Sequence, residues 1–139
     1  MLHTVIRIFV FLLYFLSIPP AIAAGICDGF AIKLKNNLSE DILVTNINTI
    51  QADLEPAFAD LVKAGSQITF SIVNASRVDV ITGNISLYTV QIPSKKITIA
   101  FELMDKGIYC RHSDKSTAEE HHPSSTRVPG RGVDYNIDY

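Results

Sequence analysis

The chain has 139 residues, 12 Lys+Arg against 14 Asp+Glu, a formal net charge of −2, and 47% hydrophobic residues with no tryptophan. That length holds one domain with a modest core, and a mixed, faintly acidic charge excludes the basic patch of a nucleic-acid binder. Two cysteines, Cys27 and Cys110, allow one disulfide; no CxxC and no histidine near Cys27 point to a metal or redox pair instead.

Residues 1–24 read as a secretory signal. Arg7 supplies the basic start, residues 8–18 the apolar run, and Ala21, Ala23 and Ala24 the small residues of a cleavage site near Ala23 or Ala24. The run is too short for a spanning helix, which needs about 20 apolar residues. Gly25 and Ile26 separate the small residues from Cys27, so lipoprotein processing is not expected. The segment holds one of the 12 Lys+Arg and none of the 14 Asp+Glu, leaving 11 − 14 = −3 for the mature chain. The expected location is therefore secreted or periplasmic, where a cysteine pair closes as a disulfide. Cys27–Cys110 would tie the start of the fold to its later part.

After Cys27 the dominant pattern has period two. Phe30, Ile32 and Leu34 alternate with Ala31, Lys33 and Lys35, and Asn36-Asn37 offers a turn. Ile42 and Val44 begin the next run. Residues 56–65 allow a short helix, with Phe58, Leu61 and Val62 on one side, but fit better as an extended loop ending in a turn at Ala64-Gly65-Ser66. Ile68, Phe70 and Ile72 alternate next, followed by Val78 and Val80. Gly83-Asn84 precedes Ile85 and Leu87, with Tyr88, Val90 and Ile92 on the opposite phase. Ile97, Ile99, Phe101 and Leu103 form the cleanest run. Alternation of β-branched and aromatic residues predicts half-buried strands. Their short, regular spacing predicts an all-β fold, a small antiparallel β-sandwich over residues 25–139 closed by one disulfide.

Residues 111–132 are almost wholly polar and predict one long mobile loop. His112, Asp114, Glu119, Glu120, His121 and His122 lie on it. Imidazoles suit zinc or copper, so His112, His121 and His122 are the candidate metal ligands. Adjacent histidines on a loop lack the second shell that fixes geometry, and no cofactor is expected beyond a weak zinc or copper site. No nucleophile elbow, HExxH or phosphate-binding glycine loop is present, so no catalytic residue is assigned and no enzyme is expected. Asn37-Leu38-Ser39, Asn74-Ala75-Ser76 and Asn84-Ile85-Ser86 match the N-glycosylation sequon.

Alternation returns at the end of the chain: Val133, Tyr135, Ile137 and Tyr139 face away from Asp134, Asn136 and Asp138. Such a strand pairs within its own sheet or is offered to a partner by β-augmentation, which makes these four residues candidate partner contacts. The ending is similar to the final strand of exported pilus-type subunits, which also pair a signal peptide with a small one-disulfide sandwich. It also resembles the last strand of outer-membrane barrels. The pilus resemblance implies a structural subunit assembling through this strand. The residues themselves point first to a secreted or periplasmic, non-enzymatic binding protein. It is expected to be a monomer with no membrane segment after cleavage and a protein or surface partner. Metal binding through the histidines is a further alternative.

Overall fold

The computed structural model describes residues 24–75, 80–130 and 132–139. Most of the expected export segment, and Val78, lie outside them. Eleven strands form among the described residues: β1 (Ala31–Asn36), β2 (Ile42–Ile50), β3 (Asp53–Glu55), β4 (Leu61–Val62), β5 (Gln67–Val73), β6 (Ile81–Thr89), β7 (Lys96–Asp105), β8 (Cys110–Asp114), β9 (Thr117–Ala118), β10 (Ser124–Val128) and β11 (Gly132–Ile137). They make two sheets. Sheet A has five strands in the order β10-β11-β1-β5-β3, and sheet B six, in the order β4-β2-β6-β7-β8 with β9 beside β7.

The core follows from the alternation. Sheet A buries Ile32, Leu34, Phe70, Ile72, Tyr135 and Ile137, and sheet B buries Ile42, Ile85, Leu87, Ile97, Ile99 and Leu103. Successive side chains on a strand point to opposite faces, so one residue in two from each sheet meets the other sheet. Lys33 and Lys35 turn to the outer face of β1, where Lys35 reaches Asp134 of β11 at 3.0 Å. The pair is partly exposed and contributes little.

Pairing is antiparallel except at β1 and β11, which run parallel with Ala31 beside Gly132 and Asn36 beside Ile137. A parallel pair needs a long crossover, and here nearly the whole domain supplies it. Residues 56–65 hold no helix: an extended stretch enters the two-residue β4 and turns at Gly65, whose φ is +71°. Asn36, read as a turn residue, is fully buried. Its Nδ2 donates to the carbonyls of Glu40 (2.8 Å) and Val62 (3.0 Å), and its Oδ1 accepts from the Leu38 amide at 3.0 Å. The side chain thereby ties β1, the following turn and β4 together.

The expectation of a single polar loop over 111–132 is corrected. The segment contains β8, β9 and β10. These strands lie at or beside the rim of the sandwich, where an inward side chain need not be apolar, so polar composition did not prevent strand formation.

Cys27 and Cys110 are disulfide-bonded, with Cα atoms 4.9 Å apart and 83 residues of separation. The bond joins the turn before β1 in sheet A to the start of β8 in sheet B. Replacing both cysteines by alanine is expected to cost about 2–5 kcal/mol, measured by urea unfolding of the two proteins side by side.

Gly83 sits mid-strand on β6, directly opposite Phe101 of β7. A Cβ at Gly83 would lie 2.3 Å from the Phe101 Cζ atom, so the ring occupies the space a side chain would need. Gly83→Ala is expected to destabilise by about 1–3 kcal/mol through overpacking. Adding Phe101→Leu should recover part of that loss, a non-additivity that thermal unfolding of the double variant reads directly.

Candidate functional site

On one side of the sandwich, β8 ends sheet B and β10 ends sheet A. Alternation turns Cys110, His112 and Asp114 of β8 inward. It does the same for Ser125 and Arg127 of β10, which pair with Tyr135 and Val133 of β11. A charged residue pointing inward blunts an edge strand against further pairing. Arg127 lies with its guanidinium 4.9 Å from the centre of the Phe30 ring and donates from Nη2 to the Cys110 carbonyl at 3.3 Å. It thus bridges the two edges.

His112 is half-buried. Its ring stacks on Phe30 at 6.1 Å and meets Tyr135 edge-on at 5.7 Å, and Nε2 lies 2.7 Å from the Tyr135 hydroxyl. Burial pushes the His112 pKa below its usual value and the Arg127 charge adds to this, while Asp114 opposes both. Tyr135 is fully buried, and burial, then the Asp114 charge, holds its phenol protonated well above the usual range. Burial alone would raise the Asp114 pKa. Hydrogen bonds from Ser116 and Ser125 and the nearby His112 outweigh it and lower the value. Every group is satisfied when the phenol donates to Asp114 and accepts from His112 Nε2–H. This network closes the rim.

The sequence-predicted site residues are therefore split between two places. His112 and Tyr135 meet in the rim network. His121 packs edge-on against Tyr139 at 5.7 Å and lies 3.9 Å from Glu120, and His122 is exposed. Among the described residues no three His, Cys, Asp or Glu side chains converge to hold a metal ion. Val133, Tyr135 and Ile137 are buried in the core, and only Tyr139 is exposed, at 77%. Its hydroxyl accepts from the Ser39 amide at 2.6 Å and contacts the Ser39 hydroxyl. Because β11 is paired on both sides, with β1 and with β10, it has no free edge. Of the sequon asparagines, Asn37 bonds Asp138 and Asn74 bonds Asp53, while Asn84 lies in the middle of sheet B.

The outer face of sheet B was not singled out by sequence. Leu61, Leu43 and Tyr88 are directly opposite one another across β4, β2 and β6, and all three turn outward. Val90 extends the row, its amide donating to the Asp41 carbonyl at 3.3 Å, and Ile92 follows in the turn. Further along the same face, β2 continues to Ile50, beyond the two inward residues Ile42 and Val44 that the pattern revealed. A bulge between Val44 and Asn46 shifts the phase, so Ile47 and Thr49 turn inward while Asn46, Asn48 and Ile50 turn outward. The three-residue step from Val44 to Ile47 was the only sequence sign of it.

No protein-family model matches this chain, and no curated protein matches it either.

The rim network sets a pH dependence. His112 titrates lower in the folded chain than in the unfolded one, so on acidification the unfolded state takes up the proton first. Its contribution is complete above the unfolded value of about 6.5 and is lost as pH falls through the lower folded value. His112→Gln keeps a polar partner for Tyr135 and removes the titration. The drop in melting temperature between neutral pH and pH about 5 is expected to be smaller in this variant than in the wild type, measured by thermal unfolding across that range.

Proposed function

We propose that the chain is an exported, non-enzymatic binding module that meets its partner on the outer face of sheet B. The carrying observation is the apolar row there: Leu43 and Leu61 are each 41% exposed, Val90 50% and Ile92 96%. A contiguous exposed apolar patch on a small soluble domain marks an interaction surface, and this one lies on a sheet face pinned by the disulfide and the core beneath it. The non-catalytic part rests on the rim. The side chains whose protonation is perturbed are bonded to one another there, and the phenol among them is fully buried. Export rests on the pattern of residues 1–24 and accords with a closed disulfide. No helix among the described residues is long and apolar enough to cross a membrane.

Assembly as a polymerising subunit through residues 133–139 gains no support from the geometry, since β11 would first have to leave both of its neighbours. Metal handling gains none either, since the three histidines stand apart.

Fractionation of expressing cells, with unboiled non-reducing gels, tests the export and monomer part. A monomer in the periplasm or medium that shifts mobility on reduction is expected. A ladder or a heat-modifiable envelope band would overturn it. A photo-crosslinking amino acid at Leu43 or Ile92 should trap a partner that the same probe at Lys33, on sheet A, does not. Equal trapping from both faces would overturn the assignment of the surface.

A further inference from the structure

Beyond the apolar row, the outer face of sheet B sinks into an open depression of about 210 Å³ lined by Asn48, Ile50, Thr82, Asn84, Ala100, Glu102 and Lys115. Two adjacent rows build it. Asn48, Asn84 and Ala100 are aligned across β2, β6 and β7, and Ile50, Thr82 and Glu102 are aligned in the next row. Lys115 closes one side, its amide donating to the Ala100 carbonyl at 2.8 Å. Ala100, the smallest side chain of the group, forms the floor. Three strands at the usual spacing make the hollow about 10 Å wide.

Among the described residues, the polar side chains around it have no partner. The side chains of Asn48, Thr82, Asn84, Glu102 and Lys115 make no hydrogen bond or ion pair with any other described residue. Elsewhere the chain does use such groups: the amides of Asn36, Asn37 and Asn74 all donate internally. Thr82, Asn84 and Glu102 are also half-buried, so their remaining hydration is restricted and a ligand displaces little water to reach them.

We propose that this depression is a saccharide-binding site. Two carboxamides and a hydroxyl each donate and accept, Glu102 accepts, and Lys115 donates. Vicinal hydroxyls of a sugar ring, which also donate and accept, match that mixture. One negative and one positive side chain leave no net charge to select an ion. Ile50 and Ala100 offer apolar surface to the C–H face of the ring. The volume is below the roughly 300–1,000 Å³ of a drug-sized pocket and suits one ring, with the open rim leaving room for a longer glycan. The assignment rests on the binding-module reading and gives its face a ligand class.

The test is an NMR titration of the disulfide-closed protein with glucose, galactose, mannose, N-acetylglucosamine, lactose and cellobiose. At least one sugar is expected to shift amides clustered at 48–50, 82–84 and 100–102. Asn84→Ala with Glu102→Gln should weaken that binding about tenfold or more. Its melting temperature should stay unchanged, because neither side chain has a partner to lose among the described residues. No shift with any sugar, shifts centred elsewhere, or undiminished binding by the double variant would overturn the site. Any of these would leave the binding-module reading intact, which falls instead on the fractionation and cross-linking outcomes.

Discussion

Two sheets packed face to face must be held together on the side where their edges are left open, and in this protein that closure is a network of polar groups and one covalent bond. The disulfide joins Cys27 to Cys110 at the start of β8. Next to it, the Ile26 amide donates to Asp105 at 3.0 Å. Arg127 reaches from β10 to the Cys110 carbonyl, and His112 reaches from β8 to Tyr135. Each link crosses from one sheet to the other. The network sits at the boundary between core and solvent, where charged and aromatic groups are partly desolvated and their contacts strengthen. Its inward-pointing Arg127 and His112 also blunt the two edge strands against further pairing.

With the rim occupied in this way, the titratable groups of β8 and β11 are engaged with one another. His112, Asp114 and Tyr135 are the groups whose protonation is most perturbed, and perturbed groups are the usual candidates for functional chemistry. Here they satisfy one another around a phenol with no solvent exposure. The outer face of sheet B, built largely on β2, β6 and β7, carries the apolar row and the polar hollow. On the sheet's inner, core-facing side, the close contact of Phe101 with Gly83 fixes how tightly β6 and β7 pack into the core. The apolar row and the polar hollow are parts of one surface, set apart by the phase shift at the β2 bulge.

The strands whose inward residues are uniformly apolar were legible before any coordinates. Ile97, Ile99, Phe101 and Leu103 declare β7 and its buried face, and Phe30, Ile32 and Leu34 declare β1. β8 and β10 were not legible, because a rim strand needs no apolar residue at its inward positions. A run such as Arg111-His112-Ser113-Asp114 therefore has the composition of a loop and the backbone of a strand. The second half of β2 was hidden for a different reason: one extra residue at Thr45 moved the inward phase from even to odd positions, and a strict period-two reading stops there. Asn36 was hidden because an asparagine before a turn has the same residue type whether its side chain faces water or, as here, three buried backbone groups.

By itself the sequence determined the fold class, the single disulfide and the faces of the strongly alternating strands, since period-two burial and cysteine pairing are local or compositional properties. Only the tertiary structure decided that the histidines stand apart and that the final strand is enclosed rather than offered. It also decided that Asn48, Thr82 and Asn84 come together on one face of sheet B. Those outcomes depend on which strands become neighbours and which become edges, and strand order arises from contacts between segments far apart in the chain, where no local pattern records them.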